Sequence, residues 1–223
     1  MMLPPLIQID EYSLTEQVFH TLKQGILSLQ IKPREYLIIG EVAEQYGLSR
    51  TPVREALIML EREGWVENDG RRGSKVTVPS AESILHVIEI QAVLESYVAR
   101  RAAELLTDAD LNAIEQLLNE ADEQICANNA EQAHLLGAGF HGRLAQPLAN
   151  PRLCAEIVAL TQHVDRVRPL IWRKDRAPIE ESAKQHRAIF KALRARDADK
   201  AGQLMFDHTV WFEKELSVAL LHL

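Results

Sequence analysis

Apolar side chains recur at helical spacing near the start of the chain, through Leu14, Val18, Leu22, Ile26 and Leu27, until Pro33 breaks the pattern. A second helix is expected around Glu41 to Tyr46, closed by a turn at Gly47. Ser49 then reads as the N-cap of a third helix. Pro52 is tolerated in its first turn because the missing N–H has no intrahelical partner there. Leu57, Leu60 and Trp65 read as core, after which the period changes. Val66-Glu67-Asn68 and Gly73-Ser74-Lys75-Val76-Thr77-Val78 predict two short strands around a tip, Asp69-Gly70-Arg71-Arg72-Gly73.

The strand pattern stops at Pro79-Ser80-Ala81 and helical periodicity resumes through Ile84, Val87, Ile88, Gln91, Leu94, Val98 and Ala102, then Leu111, Ile114, Leu117 and Leu118. Further helices are predicted over 134–144, 153–170, 179–194 and 197–220. No βαβ alternation or nucleotide-binding glycine pattern interrupts them. The fold class is therefore mainly α: an N-terminal helix-turn-helix head with a hairpin wing, then an all-helical bundle of about six helices. The expected boundaries are a loose arm over 1–12, the head over 13–78, a linker over 79–82 and the bundle over 83–223.

The head carries the sharpest chemistry. Arg50 and Arg54, one helical turn apart, share a face at the start of the third helix, beside Thr51. A guanidinium can grip guanine O6/N7 bidentately or a phosphate, and a hydroxyl adds a further contact. Ser49, Arg50, Thr51 and Arg54 are thus candidate DNA contacts, joined by Arg71, Arg72 and Gly73 of the wing, where glycine permits close approach and arginine supplies charge.

Composition and charge add bounds. The chain has 223 residues, 47% of them hydrophobic and 26% charged, enough for two modest domains. No segment reads as membrane-spanning, and Met1-Met2-Leu3-Pro4-Pro5 does not read as a secretory signal, so a cytoplasmic protein is expected. Cys126 and Cys154 lack metal-finger spacing and read as buried free thiols. The net charge of -7 opposes generic DNA binding, but acidic residues crowd the second half, at Glu95, Glu104, Asp108, Asp110, Glu115, Glu120, Asp122 and Glu123. They are expected to form an acidic surface that leaves DNA contact to the head.

Three histidines stand on apolar helical stripes: His141 with Gly137, Leu144 and Leu148; His186 with Ile179, Ala183, Phe190 and Leu193; His208 with Leu204, Met205, Trp211 and Phe212. Taken singly, each fits a satisfied core histidine. Taken together, three imidazoles from three helices can converge on one divalent ion. Arg166, Arg168 and His163 lie on one further helix as candidate effector contacts, a reading that spacing weighs equally with a solvated face.

Residues from about 14 to 78 resemble the winged helix-turn-helix head of the GntR transcription regulators, through Ser49-Arg50-Thr51-Pro52-Val53-Arg54-Glu55-Ala56-Leu57. From about 84 to 219 the chain is similar to the FCD effector domain of the FadR-type subfamily, through Phe140-His141, Leu148-Ala149-Asn150-Pro151, Gln185-His186 and Asp207-His208. The resemblance implies Arg50, Thr51 and Arg54 in the major groove and the wing around Arg72 and Gly73 in the minor groove. It also implies a metal on His141, His186 and His208. The chain departs from the family pattern at Gln30 and Arg34, where glycine is usual, at Ile39-Gly40, often a Glu-Arg pair, and at Gln91, often arginine. It departs again at Gly137, the usual place of an aspartate ligand. A site without that carboxylate should favour a softer metal such as zinc or nickel.

The expected function is therefore a homodimeric transcription regulator on a pseudo-palindromic double-stranded DNA operator, modulated by a small carboxylate effector. The linker near Pro79 and the first bundle helix are the expected moving elements. The alternative is a metal-dependent hydrolase with a DNA-binding appendage, because three histidines and a water also describe a catalytic zinc site.

Overall fold

The computed structural model describes residues 2–78, 80–167 and 177–220, which fall into two compact units, 1–79 and 80–223. In the first unit, α1 (Leu14–Leu27), α2 (Ile39–Tyr46) and α3 (Arg50–Arg62) accompany three short strands, β1 (Tyr36–Leu37), β2 (Val66–Asn68) and β3 (Ser74–Val76). A capping box between Ser13 and Glu16 starts α1. Gly47, at φ 66°, ends α2 in the left-handed conformation that glycine adopts without steric penalty. Val18, Leu22, Ile26, Val53, Leu57, Leu60 and Trp65 form the core between the helices. Lys23, buried among them, is satisfied by Glu63 Oε2 at 2.6 Å and lies over the Phe19 and Trp65 rings.

The expected hairpin forms between β2 and β3, antiparallel, with Val66 opposite Val76 and Asn68 opposite Ser74. The tip folds as one 3-10 turn over Gly70–Arg72. A strand not anticipated from the sequence, β1, pairs with the other edge of β3 and makes the order β1-β3-β2. Gly73 is required where the sheet closes, because its φ is 101° and a Cβ there would stand 2.8 Å from the Leu37 carbonyl oxygen. Arg34, where the resemblance leads one to expect glycine, adopts φ 71°, while the neighbouring left-handed residue is Leu29 rather than Gln30.

The N-terminal arm is not loose along its length. Leu3 is buried in the head core, the Tyr46 hydroxyl donates to the Pro4 carbonyl at 3.0 Å, and Ile7 N–H donates to Thr21 Oγ1 at 2.8 Å. Two prolines and a short apolar run hide this docking from a periodicity reading.

The second unit holds six described α-helices: α4 (Ala81–Leu105), α5 (Asp108–Cys126), α6 (Ala130–Ala145), α7 (Pro151–Asp165), α8 (Ala177–Arg194) and α9 (Ala198–Leu220). The expected linker is short, since Ser80 Oγ already caps α4 by accepting from Ser83 N–H at 3.0 Å. A core of Val98, Ala102, Ile114, Leu118, Phe140, Leu144, Ile189, Leu193 and Met205 ties the helices together. Helix α9 runs closely along α4, and Gly202 makes this approach possible, with Ser96 Oγ donating to its carbonyl at 2.9 Å. Among the described residues, no helix is long and apolar enough to cross a membrane.

Candidate functional site

In the head, α3 begins at Arg50 with extended backbone at Ser49, as an N-cap requires, but the Ser49 side chain accepts no capping hydrogen bond. The expected serine cap is therefore backbone geometry only, and its hydroxyl stays exposed. Val53, Ala56, Leu57 and Leu60 bury one face of α3, which leaves Arg50, Thr51 and Arg54 exposed on the other. Arg72 is exposed in the wing turn and Gly73 ends it; the Arg71 side chain lies outside the described residues. Among the described residues, the side chains of Arg50, Arg54 and Arg72 make no hydrogen bond or ion pair, while Arg72 N–H donates to the Asp69 carbonyl at 3.2 Å. Gly40 leaves space beside α2, and the Arg50 guanidinium lies 4.0 Å from where a Cβ there would stand.

In the second unit, His141 on α6, His186 on α8 and His208 on α9 meet. Nε2 of His186 stands 3.1 Å from Nε2 of His141 and 3.2 Å from Nε2 of His208, and the three donor atoms all lie within 4.8 Å of one another. His186 and His208 are buried, and His141 is partly so. Phe140 packs its ring 4.7 Å from that of His186. The donor set suits a divalent ion: nitrogens about 2.0–2.1 Å from a tetrahedral zinc stand roughly 3.3–3.4 Å apart, close to the two spacings that His186 makes. The outward nitrogens face oxygens: His208 Nδ1 is hydrogen-bonded to Gln185 Oε1 at 2.7 Å, and His141 Nδ1 stands 3.1 Å from Glu95 Oε2, within ion-pair distance but without the geometry of a hydrogen bond.

Glu95 thus corrects the expectation of an acidic surface at that position. It is 5% exposed and lies on the inward stripe of α4 with Ile88, Ala92, Ala99 and Ala102. Burial alone would raise its pKa, but the imidazole of His141, the amide of Gln91 and the more distant His208 outweigh that and hold it at about 2. That inward stripe was the available signal, since a carboxylate in register with small and branched apolar residues seldom points to water.

The histidines open on a cavity of about 470 Å³, walled by residues of α4 to α9 such as Ile125, Gly137, Ile157, Ile179 and Trp211. Cys154 lines it half-buried, whereas Cys126, expected to be buried, is exposed at the end of α5. A Cβ on Gly137 would stand 3.4 Å from His186 Cε1, so this glycine borders the histidine cluster directly. His134 also lines the cavity, its Nε2 3.9 Å from Asp165 Oδ1. The expected effector contacts are placed otherwise. Helix α7 turns Ile157, Val158, Thr161, Gln162 and Asp165 to the cavity, and neither His163 nor Arg166 is among its lining residues. One residue is a 100° turn, enough to take both off that face. Arg166 is half-buried, and burial lowers its guanidinium to about 10; Arg168 lies outside the described residues.

Comparisons with known proteins assign the class. Residues 14–76 match the family described as bacterial regulatory proteins, gntR family, and residues 86–210 match the FCD domain. The chain is 32% identical over 194 residues to the HTH-type transcriptional repressor RspR of Escherichia coli, covering 86% of this chain and 84% of that protein. It is 31% identical over 190 residues to the HTH-type transcriptional repressor NanR of Enterobacter sp., covering 75% and 71%. Among solved structures, Escherichia coli McbR/YncC aligns with a TM-score of 0.74 at 25% identity, over 92% of this chain and 97% of the other. The chain belongs to the GntR family of DNA-binding transcription regulators and carries an FCD domain. It is a regulator and not an enzyme, so the hydrolase alternative is set aside.

Proposed function

We propose that this regulator, a member of the FadR-type subfamily, binds a pseudo-palindromic operator as a homodimer in the cytoplasm and is modulated by a small carboxylate seated against a three-histidine metal centre. The observation that carries this reading is the convergence of His141, His186 and His208 Nε2 on the wall of the 470 Å³ cavity. The residues fit a divalent ion, zinc or nickel, because imidazole nitrogens suit both and no side-chain oxygen competes from position 137. When bound, such an ion supplies open positions that attract a carboxylate oxygen. His141, His186 and His208 would hold it, while the apolar walls at Ile125, Ile157 and Trp211 would exclude water from the body of the effector. His163 and Arg166, off the cavity wall, are not the clamp in this reading.

In the head, Arg50, Thr51 and Arg54 would read the major groove, with Arg72 and Gly73 of the wing against the minor groove; the exposure of these side chains on α3 and the wing supports this. Dimerisation is supported by α4, whose Ile90, Val93 and Tyr97 are more than half exposed at spacings of three and four residues. An effector must bind the DNA-competent and released arrangements with different free energies, typically by about 1–3 kcal/mol.

The test is fluorescence anisotropy on an operator selected from random-sequence DNA, with zinc and a panel of small carboxylates. Operator affinity should change severalfold with a carboxylate only when the metal is present. An affinity indifferent to metal, chelator and every carboxylate would remove the sensor reading and leave the DNA-binding one.

A further inference from the structure

We propose that Glu95 is the outer-sphere carboxylate of the histidine centre: it orients His141 through Nδ1 and supplies the negative charge that three neutral nitrogens lack. This rests on the metal reading above and adds a positioning residue to it.

Glu95 is held from several directions. Its Oε1 accepts from Gln91 Nε2 at 2.9 Å, and Gln91 is fixed in turn by Thr161 Oγ1 of α7 at 3.2 Å. Its Oε2 accepts from Thr209 Oγ1 of α9 at 3.2 Å and stands 3.1 Å from His141 Nδ1 of α6. Among the described residues these partners are an amide, a hydroxyl and an imidazole, none of them a lysine or arginine. A buried carboxylate without a countercharge is costly, and among the described residues the histidines are where one can arise, on a ring or on an ion beyond it.

The tautomers support the second case. A proton on His141 Nδ1, facing Glu95, leaves the Nε2 lone pair bare toward His186. His208 is set the same way, with Nδ1 2.7 Å from Gln185 Oε1, while the Gln185 amide is oriented by its donation to Glu181 Oε1 at 3.1 Å. With both outer rings protonated on Nδ1, a single hydrogen on His186 Nε2 can satisfy only one of the two Nε2 contacts. A cation among the three nitrogens meets both flanking lone pairs at once, across the same 3.1 and 3.2 Å spacings.

The experiment is a Co²⁺ titration of the full-length, tag-free protein followed by visible absorption, on wild type, E95D and E95Q, with metal-free melting temperatures measured in parallel. The isosteric E95Q keeps the packing and removes the charge, so cobalt affinity should fall roughly 10–100-fold with the metal-free melting temperature retained. E95D, which keeps the charge on a shorter arm, should fall between E95Q and wild type. Cobalt bound equally by all three would overturn the inference and leave the metal reading standing; a wild type that binds no cobalt would overturn both. If E95Q does not fold, E95D against wild type decides, and equal affinity overturns the inference.

Discussion

The Nε2 atoms of His141 and His186 stand 3.1 Å apart although 45 residues separate them in the chain. With His208 Nε2 at 3.2 Å from that of His186, the three nitrogens form a set that could hold one ion. Gly137 borders this set.

A Cβ added at Gly137 would meet His186 Cε1 at 3.4 Å and Nδ1 at 3.8 Å, ordinary contact distances. Gly137→Asp should therefore fit and place a carboxylate beside the cluster. Zinc affinity, measured by competition with a chromophoric chelator, should tighten about tenfold or more, equivalent to about 1.4 kcal/mol. Unchanged affinity would mean that α6 does not present position 137 to the bound ion.

Arg54 projects from the exposed face of α3 and Arg72 from the wing turn. Arg54→Ala should cost about 1–3 kcal/mol of operator affinity and relax base preference at one position, if the contact is bidentate. Arg72→Ala should weaken binding across sequences and lower the salt slope of log affinity by about 1 if it touches phosphate. Anisotropy over a range of salt concentrations separates the two; operator binding unchanged in Arg54→Ala would remove α3 as the reading helix.

A Cβ at Gly202 would collide with the Arg100 side chain and press on the Ser96 carbonyl oxygen at 3.2 Å. Gly202→Ala should force α9 from α4 or displace the Arg100 stem, destabilising the FCD unit by about 1–3 kcal/mol. Chemical denaturation followed by circular dichroism measures this, and an unaltered midpoint would show that the helices have room to spare.

The Tyr46 hydroxyl, donating to the Pro4 carbonyl, is partly buried, and burial raises its pKa to about 12 from an ordinary value of 10. The neutral phenol is the form the folded head favours. Its contribution is fully present below about pH 10 and is lost as the pH climbs from there toward about 12, since the unfolded chain ionises first. Wild type should lose more stability than Tyr46→Phe across that window, in parallel thermal melts. Identical slopes would show that the arm does not rely on this bond.

The inward stripes through His141, His186 and His208 are legible in the sequence because they follow helical periodicity, and tertiary packing brings those stripes to one point. The wing is legible because Val66 and Val76 flank a glycine-bounded basic tip. Strand β1 is not, because two residues carry no period and their pairing with β3 depends on the turn at Arg34. Charge composition alone assigns Glu95 to an acidic surface, since it says nothing of which way a helix faces. His163 and Arg166 miss the cavity wall for the same reason: Ile157 and Val164, entering the interior, settle the face of α7, and its basic residues do not.

The most direct test of the histidine centre is elemental analysis of tag-free protein purified from metal-supplemented medium, alongside His186→Ala. About one zinc or nickel ion per chain, absent from the folded variant, is the predicted result. No bound metal in the wild type, or the same content in both proteins, would contradict a centre built on His141, His186 and His208.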